Sequence, residues 1–597
     1  MMRTEVAGER LPRAGKGDDA PLAFTHVRIF DGKRVMEDAA VVVEGGRIAA
    51  AGREVQVPAN ALTVEGWGCT LLPGLIDGHV HVLAADALRQ ELVLGITTAV
   101  DCFMDPRLAA ELKRAEAHDP RRESASLVTA GSLATAPGGH GTEFGVAPPP
   151  VAGPEEADAW VRARVEEGSD FIKLVYDDGA QHGISYPTLS LDTVRALVRA
   201  AHARGLLAVA HVATLRAARE VLEAGVDGLA HVWADKPPDE AFCRWIAERG
   251  AFVCPTLCAL QGTLGRASGA AIADDPRVAP FLSERSRMNL RHAFPVAAGV
   301  RLDYAHAEEA VRRLHAAGVP LLAGSDVPNP GTAYGATLHR ELELLVQAGL
   351  PPAEALACAT FAPARAFRLA DRGRIAAGLR ADLLLVRGDP TDDVTAARDV
   401  AGIWIRGVPV DREAFRAQVA RGGSAAPEPE GAADGRVSDF DGVGPVARFG
   451  FGWTVSTDRV LGGASTAEIH VVPGGAGESA GCLRVRGQVR AGAPFTWAGA
   501  IYHPGPSPVQ PANLSRFRAL RFHARGDGGT YRVILFSRGL GVVPAIREFR
   551  AGPAWSRHTF PLREFSGMDG HDLTGVLFSG GPAEGPFTFW IDDVEFV

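Results

Sequence analysis

Asp170-Phe-Ile-Lys-Leu-Val-Tyr176 sets a lysine inside a run of large apolar and β-branched residues. Such a run, without polar alternation, reads as a strand of a parallel sheet buried on both faces. Cations in this chain are otherwise almost all arginine, and lysine occurs only at Lys16, Lys33, Lys113, Lys173 and Lys236. An unpaired ammonium in that strand costs several kcal/mol, and arginine would not relieve the cost. A neutral lysine can do something arginine cannot: add carbon dioxide and become a carbamate, an anionic ligand able to bridge two metal ions. The competing reading is a lysine that snorkels out of a core strand. The histidines elsewhere in the chain favour the ligand.

Outward from Lys173, apolar runs alternate with helical stretches rich in Ala, Arg, Leu and Glu, the pattern of βα units around a parallel sheet. Eight candidate strands follow one another: His79–Leu83, Ile96–Cys102, Leu127–Leu133, Phe171–Tyr176, Ala208–Val212, Gly228–Val232, Phe252–Leu257 and Pro320–Asp326. Amphipathic segments such as Leu191–Arg204 and Ala213–Ala224 separate them. Eight such units predict an α/β fold, a (β/α)8 TIM barrel over residues 71–372 with its chemistry at the C-terminal strand ends. Short strand-like runs with Asp31-Gly32 and Gly45-Gly46 turns precede it, and Ala381–Val386 and Gly402–Ile405 follow it. Residues 23–70 and 373–416 are therefore expected to join into a small composite β-sandwich. Residues 1–22 read as a disordered leader and residues 417–436, rich in Gly, Ala, Pro and Glu, as a linker. Residues 437–597 are turn-rich with alternating runs such as Tyr531–Ser537, the signature of an all-β sandwich.

The 597 residues are 46% hydrophobic and 22% charged, which makes the chain globular with several cores. The net charge of −9 and the mixing of signs exclude a basic nucleic-acid or anionic-membrane face. No stretch approaches the ~20 apolar residues of a membrane helix, and Met1 to Pro21 lacks the apolar core of a secretory signal. The seven scattered cysteines form no CxxC pair, so neither a disulfide framework nor a thiolate zinc site is expected. The cytoplasm fits best.

His79-Val-His81 lies on the first predicted barrel strand, where alternate residues share a face and both imidazoles can chelate one cation. His211 ends the fifth strand, His231 the sixth and Asp326 the eighth, while Lys173 lies on the fourth. A single histidine on an apolar strand is more often a hydrogen-bonded core residue. Five strands each placing a His, Lys or Asp near the same end of one barrel is another matter, and imidazole plus carboxylate suits zinc or manganese.

These residues resemble the amidohydrolase superfamily, in the branch of imidazolonepropionase-like enzymes and prolidase-like Xaa-Pro and Xaa-Arg dipeptidases. The resemblance rests on Leu72-Pro-Gly-Leu-Ile-Asp-Gly-His-Val-His-Val82, on Ala359-Thr-Phe-Ala-Pro-Ala-Arg365 and on Gly378-Leu-Arg-Ala-Asp-Leu-Leu-Leu-Val386, and spans roughly Phe24 to Val410. It implies that His79, His81 and Asp326 bind the more buried of two divalent ions, zinc by preference. His211 and His231 would bind the second, with carboxylated Lys173 bridging them. It further implies attack by a metal-bridging hydroxide on a small-molecule amide or dipeptide, with Asp326 carrying the proton to the leaving amine. Imidazolonepropionases and deaminases of the superfamily work with one metal and lack the strand-four lysine, so Lys173 favours the binuclear, amide-cleaving branch. His140, in a Gly-Gly-His-Gly run similar to one in the dipeptidase-like branch, and Tyr176, a candidate donor to an oxyanion, are further catalytic candidates. Tyr334 and His339 are candidates for lining the pocket.

Beyond the linker, Ser438-Asp-Phe-Asp, the run Trp453 to Ser465 and Phe589-Trp-Ile-Asp-Asp-Val594 resemble the complex-I intermediate-associated protein family. That resemblance implies a jelly-roll domain of galactose-binding type, a module for a carbohydrate or protein partner, with Trp453, Asp458 and Arg459 as candidate contacts. Two other readings stand beside the binuclear hydrolase: a mononuclear deaminase or cyclic-amidine hydrolase, and a non-enzymatic scaffold whose C-terminal domain binds a partner. The sequence leaves room for a homo-oligomer.

Overall fold

The computed structural model describes residues 3–4, 20–119, 123–142, 148–183, 185–294, 296, 300–420, 426–461, 463–491, 495–508, 510–537, 545–565 and 568–597. The chain divides into two compact units, residues 1–141 with 148–421 and residues 142–147 with 422–597.

Seven parallel strands organise the first unit. Leu75–Val80, Ile96–Asp101 and Ser126–Thr129 pair in one sheet, and Ile172–Val175, Ala208–His211, Gly228–Ala230 and Phe252–Cys254 pair in order in another. A parallel bridge between Ala134 and Leu174 joins the two sheets, and one between Val253 and Leu321 joins the seventh strand to the segment beyond it. That segment returns to the first strand: the Gly78 N–H donates to the Ala323 carbonyl at 2.8 Å and the Asp326 N–H to the His79 carbonyl at 2.7 Å. The arrangement is a mixed α/β domain of TIM-barrel type.

Pro320–Asp326, expected as the eighth strand, is not a regular one. Only Leu321 makes a ladder bridge; beyond it the segment is tied to its neighbours by single backbone hydrogen bonds, and Asp326 leaves the extended region for φ +52. The strands are also shorter than their apolar runs, because those runs continue into the loops at the strand ends; His81, Tyr176 and His231 each stand one residue past a strand.

Short side-chain caps fix where several of the helices start. The Ser190 hydroxyl accepts from the Thr193 N–H ahead of Leu191–His202, and Gly205 at φ +74 follows the helix. That helix buries Val194, Leu197, Val198 and Ala201, the i, i+3, i+4, i+7 stripe of a helix lying on a sheet. Thr214 caps Leu215–Glu223 and Asp239 caps Glu240–Arg249 in the same way. The loops between strand ends and these caps carry the site.

The strands that precede and follow the parallel strands are hydrogen-bonded into one nine-stranded sheet. Leu22–Phe30 serves both halves: its first residues pair with Leu62–Glu65, and Arg28 and Ile29 pair with Thr70 and Leu71. Its register with Val35–Glu44 breaks after Phe24, next to His26 at φ +51, and such a bulge bends a strand between partners. Cys69–Pro73 lies antiparallel to Leu383–Arg387, so the chain enters and leaves the parallel strands side by side. Phe24, Val41, Leu71, Leu383 and Trp404 share the enclosed core, with the Phe24 and Trp404 rings edge to face at 4.7 Å. Arg3–Thr4, expected in a disordered leader, pairs in parallel with Thr63 and Val64.

The second unit is two antiparallel sheets. Five strands run in the order Gly452–Thr457, Ala498–His503, Leu573–Gly580, Thr530–Ser537 and Ala545–Arg550. Six others centre on Gly481–Val489, Gly585–Phe596 and Ala519–Gly526. Inward residues of both, among them Val533, Phe522, Phe549, Phe578 and Phe589, form one aromatic-rich core. Trp453 is buried in it and donates its indole N–H to Ser438 Oγ at 2.9 Å. Asp458 is also buried, accepting from the Ser465 N–H at 3.0 Å and the Ser465 hydroxyl at 2.6 Å. Both candidate contacts are thus spent within the sandwich; Arg459 is exposed. Among the described residues no helix is long and apolar enough to cross a membrane.

Candidate metal centre

The first strand carries Asp77 and His79 on one face, and His81 stands just past its end. Asp77 is fully buried, and its Oδ1 accepts from the His79 N–H at 3.1 Å and from the Ser325 N–H at 3.0 Å. One carboxylate thereby locks the first strand to the segment that ends in Asp326.

The Asp326 carboxylate stands among three imidazoles. Its Oδ1 lies 3.3 Å from His79 Nε2 and 3.1 Å from His81 Nε2, and its Oδ2 lies 3.9 Å from His231 Nδ1. His81 Nδ1 is 3.2 Å from the Phe103 carbonyl, so the ring is held between that carbonyl and the Asp326 carboxylate, which its Nε2 faces. His231, at φ +74, has its Nδ1 2.6 Å from Thr256 Oγ1. His79 is 1% exposed, and neither of its buried ring nitrogens makes a hydrogen bond of good geometry. One ligand atom from each of His79, His231 and Asp326 can be chosen so that all lie within 4.8 Å of one another.

Burial pulls the His79 imidazole down to about 3, with the Lys173 charge adding to it and Asp326 opposing. Burial likewise lowers His231 well below the ordinary histidine range. Burial alone would raise Asp326, but the His79 and His231 imidazoles close to it, together with the His81 ring at 3.1 Å, hold it well below the usual carboxylate range. Neutral imidazoles facing an ionised carboxylate, with buried ring nitrogens left over, are a donor set short of a cation. The residues fit a divalent ion of the zinc or manganese kind.

Lys173 sits in mid-strand, 2% exposed and opposite Val209 of the fifth strand. Its charge lowers His79, His211 and His231. His211 is brought beside this group, its ring 4.6 Å from that of His231 and edge to face with it. Its Nε2 lies 3.4 Å from Asp177 Oδ2; burial lowers the imidazole to about 4 against that hydrogen bond. The His140 ring is 5.0 Å from His211 and 5.4 Å from Tyr186.

Three other candidates are placed differently. Tyr176 donates its hydroxyl to Glu220 Oε2 at 3.0 Å. It lines a polar cavity of about 250 Å3 with Asp177, Gln181, Thr214, Arg216 and Lys236, which none of His79, His81, His231 or Asp326 lines. His339 is buried with Nε2 2.8 Å from the Leu94 carbonyl, so it anchors a helix rather than lining a pocket. Tyr334 donates its hydroxyl to the His81 carbonyl at 2.7 Å and steadies the backbone behind that ligand candidate.

Sequence reasoning missed the residues behind the histidines. Asp77 stands two positions before His79, on the same strand face, which was signal enough. Asp101, pushed up to about 6 by burial, accepts from the Val82 N–H at 2.8 Å and the Thr129 hydroxyl at 2.6 Å. Asp177 adjoins Tyr176 at the mouth of the fourth strand. Thr256 carried no signal, because its partner is 25 residues away.

Fold and site together are those of a TIM-barrel-type domain with a candidate metal site. Comparison with known proteins agrees. Residues 70–410 match the model of the amidohydrolase family, and residues 446–570 match that of complex I intermediate-associated protein 30. An imidazolonepropionase of Anaeromyxobacter sp. (strain K) is 30% identical over 408 residues, 59% of this chain and 84% of the relative. One of Streptomyces coelicolor is 28% identical over 436 residues, 66% of this chain and 94% of the relative. Among solved structures, a prolidase complexed with N-methylphosphonate-L-proline is 25% identical with a TM-score of 0.53, covering 66% of this chain and 100% of its own. A Xaa-Pro dipeptidase with methionine bound in the active site is 22% identical, also at a TM-score of 0.53, covering 66% of this chain and 100% of its own. The chain belongs to the amidohydrolase family and is an enzyme acting on carbon–nitrogen bonds.

Proposed function

We propose that the chain is a binuclear metal-dependent hydrolase that cleaves the amide bond of a dipeptide or an N-acyl amino acid. The observation that carries this reading is the burial of Lys173 in mid-strand beside His79, His211 and His231, with the Asp326 carboxylate among the imidazoles. The likeness to a prolidase structure supports it. On this reading the parallel strands form a closed eightfold barrel. His79, His81 and Asp326 hold one ion, His211 and His231 the second, and Lys173 stands between them. The Lys173 amine adds to carbon dioxide, forming an N–C bond and releasing one proton, which leaves a carbamate in place of a buried amine.

Divalent ions held there supply a water of lowered pKa and polarise the scissile carbonyl. The protein's own part is orientation and proton transfer. Phe103 and Thr256 fix the His81 and His231 rings, and Asp177 fixes His211. Asp326, kept ionised by the surrounding imidazoles, accepts the proton of the attacking water and delivers it to the departing nitrogen. Seven free, buried cysteines suit a reducing cytoplasm.

One observation favours a second reading, a mononuclear cyclic-amidine hydrolase. The tightest donor group, His79, His231 and Asp326, is a single-ion set, and the imidazolonepropionases are its relatives by sequence. Elemental analysis of protein purified without chelator separates the two. About two ions per chain, with turnover of dipeptides or N-acyl amino acids, supports the binuclear hydrolase. One ion that does not rise with added metal and bicarbonate, with turnover of a cyclic amidine, supports the other.

A further inference from the structure

Glu341 is a fully buried acid on the helix Ala336–Gln347, the helix that follows the Asp326 segment. Its two oxygens are divided between two amides at the start of Leu257–Thr263: Oε1 accepts from the Leu257 N–H at 2.8 Å and Oε2 from the Cys258 N–H at 2.8 Å. The residue in the N-cap position of that helix is Thr256, which makes no side-chain cap. A threonine there ordinarily turns its hydroxyl back onto the first free amides of its own helix. Glu341 has taken over that task from outside. The Thr256 hydroxyl is thereby released, and it stands 2.6 Å from His231 Nδ1.

The backbone carries the sign of the same exchange. Thr256 is 1% exposed and held at φ +51, ψ +48, a left-handed conformation that β-branched residues rarely adopt. Two amides pinned by a carboxylate on another helix hold the peptide in register on one side. On the other, the His231 N–H donates to the Cys254 carbonyl at 3.0 Å and the Val232 N–H to the Pro255 carbonyl at 3.3 Å.

We propose that Glu341 is a positioning residue for the metal centre: by capping Leu257–Thr263 in place of Thr256, it commits the Thr256 hydroxyl to His231 Nδ1 and reserves the His231 Nε2 lone pair for the metal. The inference rests on the metal reading given above for its consequence, but not for the Glu341–Thr256–His231 contacts themselves. Glutamine at position 341 presents an NH2 group to one of the two helix amides, donor against donor. The start of the helix then needs the Thr256 hydroxyl back, and His231 loses its partner.

The test uses the full chain, stripped of metal with a chelator, with zinc as the probe. Zinc affinity is measured by calorimetry for Glu341→Gln, Thr256→Val, Thr256→Ser and the double variant. The tautomer of His231 in the zinc-free protein is read from nitrogen chemical shifts of selectively labelled histidine. Glu341→Gln and Thr256→Val are each expected to weaken zinc binding ten- to a hundredfold, the range for removing a partner behind a metal-ligating histidine. The double variant should be no weaker than the worse single one, because both break one chain of contacts. Thr256→Ser, which keeps the hydroxyl, should stay within about threefold of the wild type. The Nδ1-protonated tautomer should dominate in the wild type and Thr256→Ser and be lost in the other variants.

A folded Glu341→Gln protein with wild-type zinc affinity and tautomer would make Glu341 a helix cap only and overturn the proposal. Losses that multiply in the double variant would overturn it as well. If Glu341→Gln does not fold, Glu341→Asp, which keeps the carboxylate but shortens its reach, takes its place; failure of both to fold makes Glu341 a folding residue and likewise overturns it. A wild type that binds no zinc sinks the metal reading alone, since the tautomer comparison still decides whether Glu341 acts through Thr256 on His231.

Discussion

Lys173→Met separates a ligand from a core residue by the sign of its effect. The side chain is 2% exposed, in the middle of a strand paired on its fifth-strand side at Val209. In metal-free protein no carbamate is held by metal, and the strand buries a polar amine among imidazoles that its charge already depresses. Methionine matches its length without the amine. Replacing buried charged groups by apolar side chains of similar volume is often stabilising by about 1–4 kcal/mol. The first unit, of about 415 residues, has an unfolding entropy of roughly 0.9 kcal/mol/K at the usual value per residue. The chelated variant should therefore melt about 1–5 °C above the chelated wild type. Loaded with metal, the order reverses. The variant lacks the bridging group, so it should hold fewer ions per chain, lose turnover and gain little in melting temperature when metal is added, because ligand stabilisation scales with affinity. Scanning calorimetry with and without chelator, alongside elemental analysis and amide turnover, reads all three. A chelated variant that melts below the wild type, or a loaded one that keeps two ions and full turnover, would refute the reasoning.

Asp177→Asn should weaken metal binding by roughly ten- to a hundredfold with little loss of fold, since Asp177 orients His211 across 3.4 Å; metal titration checks it. Leu197→Ala removes a fully buried side chain from the stripe that seats Leu191–His202. It should cost about 2–5 kcal/mol in urea unfolding while leaving metal stoichiometry unchanged. His503, on the strand Ala498–His503, is lowered by burial to about 4. Its folded value lies below the ordinary 6.5, so the stability it contributes is fully present above pH 6.5 and is lost as pH falls toward 4, by about 3 kcal/mol in all. Protection factors of amides in the strands around His503 should fall over that window, and in a folded His503→Gln variant the step should vanish.

What the sequence makes legible follows from the range of the forces involved. A buried parallel strand advertises itself, because every position must be apolar; one polar residue near its end is then conspicuous. This is why His79, His211, His231 and Asp326 could be read as neighbours although they lie up to 247 positions apart. Lys173 stood out for the same reason. Tyr176 sits in the same register, yet its hydroxyl is claimed by Glu220, which faces it from the helix Leu215–Glu223. No pattern along the chain foretells a pairing of that kind.

Acids in helices are harder still. Glu341 lies in Glu341-Leu-Glu343, where charge suggests a solvent-facing stripe, and Glu343 does carry ion pairs with Arg340 and Arg398. Its neighbour Glu341 is instead fully buried, with an apolar-looking environment that pushes its carboxyl up to about 8 against two backbone amides. A buried acid is tolerated only where it finds donors, and those donors exist because Leu257–Thr263 begins at a threonine that does not cap it. The need arises in one βα unit and is met from the next, so neither stretch of sequence announces it. The histidines can be read from their own strands. What holds one of them in place is written in the contact between two others, and becomes visible only when the fold has brought them together.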